Sequence, residues 1–298
     1  MGNARYSNPP LSSLLPVFIT LLLRGHSFQV PFSEATRPFL SGKSVNCNAF
    51  STTSTMDRSL IFRQLFEAES STYTYILGCP STKEAIIIDP VDLTAERDAQ
   101  FIREMGLTLV YAVNTHVHAD HVTGSGKLKQ IFNVAESELP VRSVIAEVSG
   151  AQADVKVNDG DVISFGTRSV RVLSTPGHTD GCLSYVLDDN SMVFTGDALL
   201  IRGCGRTDFQ QGSAETLYNS VHSKIFTLPD SCLVYPAHDY KGRTCSSVGE
   251  EKTHNLRLTK PLEEFKEIMD NLGLPYPKKI DASLPANMVC GLYEEGTT

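Results

Sequence analysis

From Ser59 onward, apolar residues gather in short runs separated by Gly, Pro, Asn and Asp, the punctuation of a chain that turns often. The runs at 60–66, 73–77 and 85–89 predict strands, with Gly78, Pro80 and Pro90 as breakers. Residues 92–105 have helical composition and lead into another apolar run at 109–113. Further strands are expected at 142–146, 161–165, 168–173, 183–187, 192–195 and 233–235. One helix is expected over 213–224, and two more, over 250–258 and 262–272, close the chain.

The polar residues that interrupt this pattern carry its chemistry. His116, His178, Asp197 and His238 each follow an apolar run by a few residues, with Gly, Pro or Thr between. Loops at one edge of a rigid sheet can bring such residues together although they are far apart in sequence. Of eight histidines, five lie in the stretch from Thr115 to His121 or at His178 and His238. Neutral imidazole is the commonest metal ligand, and carboxylates complete a mixed nitrogen and oxygen site. His116 and His118 are two apart, so an extended backbone turns both the same way, toward one ion. Asp120 and His121 then turn onto a following helix and suit a second ion. His178 arrives on a tight Pro-Gly turn, Asp197 offers a bridging carboxylate, and His238 comes last. Any one of these alone reads as a hydrogen-bonded structural residue; the ordered set reads as a metal site. His222 and His254 fall on expected helices without partners and read as structural.

Composition narrows the setting. With 298 residues, 41% hydrophobic and 20% charged, the chain suits one large or two smaller globular domains. A net charge of -8 argues against a nucleic-acid partner, since phosphate binding needs clustered Lys and Arg. Seven widely spaced cysteines without a Cys-x-x-Cys pair fit reduced thiols. Residues 1–56 differ: four basic residues oppose Glu34 alone, a net +3 that leaves -11 for the remainder. This segment reads as an organellar, mitochondrial transit leader before a catalytic domain over 57–298. A secretory signal is the competing reading, from an apolar stretch at 14–23 that is too short to span a bilayer. No membrane partner is expected, and Met56 offers the start of a shorter cytosolic form.

The order H-x-H-x-D-H, then His, Asp and His, over about 59–239 resembles the metallo-β-lactamase superfamily. The resemblance implies a four-layer αββα sandwich, two mixed sheets with helices outside and a metal site at one edge. Two chemistries within that superfamily compete. Glyoxalase II hydrolyses S-lactoylglutathione with two metals that acidify a bridging water, and all seven side chains for such a site are present. The persulfide dioxygenases oxidise glutathione persulfide with O2 and water to sulfite and glutathione. Their resemblance extends to LIFRQLFE at 60–67, SSTYTY at 70–75, IRGCGRTDFQ at 201–210, YPAHDY at 235–240 and VCG at 289–291.

The dioxygenase resemblance implies one Fe(2+) per subunit, held by His116, His178 and Asp197, with open positions for O2 and a substrate sulfur. It implies that His118, Asp120, His121 and His238 orient ligands and water without binding the metal. It also implies a homodimer in the mitochondrial matrix. Glyoxalase II carries a C-terminal helical domain that grips glutathione, whereas only 60 residues follow His238 here. They read as two helices with tail and loop, so the thiol must be bound differently, or from a partner chain. Arg206 is expected to pair with a glutathione carboxylate through its planar fork. Tyr240 is expected to donate to the bound thiol portion, and Cys204 to line the sulfur pocket.

Overall fold

Three consecutive isoleucines at 86–88 mark a strand covered on both faces, since successive side chains point to opposite sides. The computed structural model, which describes residues 59–133 and 139–292, places Ile86 and Ile88 in one core and Ile87 in another. The leader expected over 1–56 lies outside the described residues.

The first sheet runs in order β1 (Ile61–Glu67), β2 (Thr72–Gly78), β3 (Glu84–Ile88), β4 (Thr108–Val113), β5 (Arg142–Ala146) and β6 (Val155–Val157). Its first three strands are antiparallel, and β3 to β6 are parallel. The second sheet holds β7 (Val162–Phe165), β8 (Arg168–Ser174), β9 (Leu183–Leu187), β10 (Met192–Gly196), β11 (Leu233–Pro236) and β12 (Ser246–Ser247). It is antiparallel except where β10 meets β11.

Between the sheets, Tyr75, Leu77, Ile86 and Ile88 pack against Val170, Val172, Tyr185, Leu187 and Phe194. Burying a side chain of this size contributes about 1.5–3 kcal/mol. Outside the first sheet, α1 (Ala95–Glu104) and α2 (Ser125–Phe132) cover Ile76, Ala85 and Ile87 with Ala99, Ile102 and Leu128. Outside the second lie α3 (Ala214–Ser220), continued by a π turn at Val221–Ile225, then α4 (Val248–His254) and α5 (Leu262–Asp270). They set Leu217, Val221, Val248 and Phe265 against Val186 and Val193. These layers form the expected αββα sandwich.

Two buried tyrosines connect this packing to the loops that follow the strands. Tyr185 donates to the carbonyl of Asn114 at 2.7 Å, and Tyr75 to that of Pro236 at 2.6 Å. Each bond fixes the backbone two residues before a histidine, His116 or His238.

Three expectations change. The helix expected over 250–258 starts earlier, where the Ser247 hydroxyl accepts from the Glu250 amide, and stops at His254 because Asn255 is extended. The strands β6 and β12 are too short to show a period. A third helix, α6 (Ile280–Met288), occupies what read as tail, because Pro285 inside it removes one backbone donor and masks it in the sequence. Among the described residues, no helix is long and apolar enough to cross a membrane.

Candidate metal centre

The site is assembled from loops that leave four strands. His116 follows β4, His178 follows β8, Asp197 follows β10 directly, and His238 follows β11. The ligating atoms fall into two groups, His116 with His178 and Asp197, and His118 with Asp120, His121 and His238. Within each group they lie within 4.8 Å of one another. Asp197 faces both: its Oδ2 is 3.6 Å from His178 Nε2 and its Oδ1 is 3.7 Å from His238 Nε2. His116 and His118, expected from their spacing to share one ion, do not fall in the same group. Their rings are 4.0 Å apart but belong to different groups, because the backbone after Val113 is not an extended strand.

Each imidazole has one nitrogen occupied by the protein. His116 Nδ1 donates to the Thr115 hydroxyl at 3.0 Å, which itself donates to Asp89 Oδ2 at 2.8 Å. His118 uses the other nitrogen, with Nε2 on Asp89 Oδ1 at 3.1 Å. His178 Nδ1 donates to the carbonyl of Arg206 at 2.6 Å. His121 Nδ1 faces Asp120 Oδ2 at 3.2 Å and Thr72 Oγ1 at 3.3 Å, and His238 Nδ1 faces the same threonine at 3.4 Å. This pattern sets the tautomers and leaves one nitrogen of each ring turned into the site.

His118 Nδ1, His121 Nε2, His238 Nε2 and Asp197 Oδ1 are buried and have no hydrogen-bond partner. An unpartnered buried polar atom costs about 1–3 kcal/mol, so the three in the His118, Asp120, His121 and His238 group, with Asp197 Oδ1 beside His238, call for a cation or an ordered water there. The nitrogen and carboxylate donor set suits a first-row divalent ion. Burial, with neighbouring imidazoles adding to it, holds His116 and His118 well below the ordinary histidine value. They are neutral, the form that ligates. Burial opposes the charge on Asp120, yet His238 and His121 hold its carboxyl well below the ordinary range.

Asp89 is a site residue the sequence reading missed. It is buried with φ +50°, accepts from the Thr115 amide at 2.7 Å, and holds His118 as well. The available signal was an aspartate between an apolar run and Pro90. Gly205 is required by close approach, since a Cβ there would lie 2.8 Å from His178 Nδ1.

The expected thiol-binding residues line a cleft of about 710 Å³ that opens from Asp120, His178, Asp197 and His238. Arg206 stands in its wall, but its fork is already taken by Asp208, with both bonds at 2.7 Å, and by the carbonyl of Pro275. The Arg206 guanidinium is thus paired internally in this structure, and its carbonyl orients His178. Cys204 is buried beside Met269, and burial pushes its thiol up to about 11. Tyr240 is 70% exposed at the mouth, its ring parallel to that of His238 at 6.2 Å. His222 is structural, as expected: it stacks on Tyr218, and its Nε2 bonds the Leu258 carbonyl.

The fold and this site define a class. The sequence profile of the metallo-beta-lactamase superfamily matches residues 68–238. The mitochondrial persulfide dioxygenase of Bos taurus is 59% identical over 233 residues, covering 78% of this chain and 89% of that protein. The crystal structure of ETHE1 from Myxococcus xanthus superposes with a TM-score of 0.73 at 53% identity, over 78% of this chain and 99% of that one. A hydroxyacylglutathione hydrolase from Brucella abortus is more distant, 32% identical over 78% of this chain and 86% of its own length. The chain belongs to the metallo-β-lactamase superfamily and, within it, to the family of the persulfide dioxygenases.

Proposed function

We infer that this chain is a persulfide dioxygenase that converts glutathione persulfide, O2 and water to glutathione and sulfite. The reading is carried by His116, His178 and Asp197, a two-histidine, one-carboxylate set that forms its own group although Asp197 also faces His238, in a chain 59% identical to a protein named for this activity. Such a set suits ferrous iron with open positions, and His116, His178 and Asp197 would hold it. The ion supplies one-electron chemistry with O2 that a purely Lewis-acid site lacks.

The protein's part is binding and orientation. Asp89, through Thr115, aligns His116, while the Arg206 carbonyl aligns His178. His118, Asp120, His121 and His238 orient water and the ligands beside them. Tyr240, exposed at the mouth, donates its hydroxyl to the thiol portion of the substrate. The neutral Cys204 thiol forms part of the wall along which the terminal sulfur enters. With Arg206 engaged by Asp208, Lys241, Arg257 and Lys278 on the cleft wall provide the positive charge for glutathione carboxylates. Four electrons leave the terminal sulfur and reduce one O2, so one water completes sulfite. The relatives named mitochondrial support a mitochondrial enzyme; delivery to the matrix by the leader over 1–56 and a homodimer complete the reading.

The test is oxygen uptake by anaerobically purified protein given glutathione persulfide, with iron and zinc counted on the same sample. Uptake with sulfite formed and about one iron per chain supports the dioxygenase. Lactoylglutathione hydrolysis without uptake, at about two metals per chain, overturns it in favour of a hydrolase.

A further inference from the structure

The loop between β4 and α2 carries His116, His118, Asp120 and His121, yet it has no strand or helix of its own. Its backbone carbonyls must find partners elsewhere. That of Thr115 accepts from the Leu183 amide, and that of Val122 from the Asp92 amide. Val117 is held by the Gln210 side chain at 2.8 Å. The carbonyls of His118 and His121 both accept from a single nitrogen, Nδ2 of Asn287, at 2.8 Å each. The Oδ1 of the same amide accepts from the Thr123 N–H at 2.8 Å. Asn287 is 4% exposed, and all three of these bonds fall on this one loop.

The segment around Asn287 is docked tightly. Gly126 donates to the carbonyl of Cys290 at 2.9 Å, and Gln152 to that of Met288 at 2.8 Å. A Cβ on Gly126 would lie 2.5 Å from the Cys290 carbonyl oxygen, and one on Gly291 would lie 2.1 Å from that of Thr123. The VCG stretch at 289–291, which the metal ligands leave without a role, is thus the turn that seats α6 against the loop.

We propose that Asn287 is a positioning residue for the metal centre, a buried amide on the last helix that sets the backbone separation of His118 and His121. A planar NH2 group serves two carbonyls only at one relative placement, so it acts as a caliper on the loop that presents four of the seven donors. The inference rests on the metal site proposed above and is independent of which reaction that site performs.

The test uses the full chain and reads metal binding without turnover. Asn287→Asp keeps the acceptor for Thr123 but turns a carboxylate oxygen toward two carbonyls, and Asn287→Ala removes all three bonds. Val170→Ala, in the intersheet core, is the control for general loss of stability. Anaerobic ferrous titration should show affinity reduced about tenfold or more in both Asn287 variants and unchanged in the control at a comparable thermal midpoint. Wild-type affinity in the Asn287 variants, or a loss no larger than the control's, overturns the proposal.

A second measurement needs no variant. Binding is reciprocal, so iron should slow hydrogen exchange at the amides of Thr123 and Gly126 by a similar factor. Unchanged exchange overturns the proposal even if the variants fail to fold. Zinc is titrated in parallel, so a chain that takes zinc and refuses iron overturns the iron reading alone.

Discussion

Asp89 Oδ1 lies 3.1 Å from His118 Nε2, and this one contact decides which nitrogen of His118 faces the metal site. The other histidines of the site are held through Nδ1. His118 is held through Nε2, and its Nδ1 is left buried without a partner. Asp89 serves Thr115 at the same time, so a single carboxylate sets the tautomers on both sides of Val117.

Replacing Asp89 by Asn should therefore disturb both donor groups. An amide presents one acceptor where the carboxylate offers two. Iron affinity is expected to fall about 10- to 100-fold with the far-ultraviolet spectrum unchanged. Anaerobic titration checks this, and retained affinity would show that Asp89 is only a packing residue.

The division of the donors predicts unequal losses. His116→Ala and Asp197→Ala should each abolish iron binding, whereas His238→Ala should weaken it much less. Iron counted per chain after gel filtration decides the matter. Equal loss in all three would indicate a binuclear site.

Tyr185→Phe removes the hydroxyl that satisfies the Asn114 carbonyl inside the core. The buried carbonyl is left without this donor, at a cost of about 1–3 kcal/mol. Urea unfolding should show the lower midpoint with little change of slope.

Acid should act partly through Asp189. Burial works against its charge, but the hydroxyl and amide of Ser191 and the Arg168 guanidinium outweigh it and hold the carboxyl below its ordinary 3.8. A depressed folded value means the stabilisation is complete above 3.8 and is lost as pH falls through the folded value. Unfolding free energy should thus drop below about pH 4, and Asp189→Asn should flatten that drop. Identical acid limbs for the two proteins would assign the loss to other carboxylates.

Legibility followed the physics of each element. The isoleucines of β3 and the apolar runs of β9 and β10 announced strands covered on both faces, because two cores each claimed alternate residues. Nothing in the sequence announced α6, where Pro285 breaks the local signal and docking against the metal loop supplies the stability. Arg206 looked free for an anion, since its pairing with Asp208 depends on a turn that brings the two forks face to face.

The sequence alone determined the short strands, because burial periodicity is a local property, and the ordered set of seven His and Asp residues whose resemblance to the superfamily implied the layers. Only the tertiary structure decided how those donors divide and which nitrogen of each ring is free. Both depend on partners contributed by distant segments, Asp89 on His118, Thr72 beside His121 and His238, and Asn287 across the loop. Hydrogen-bond geometry of that kind exists only once the strands have brought their ends together.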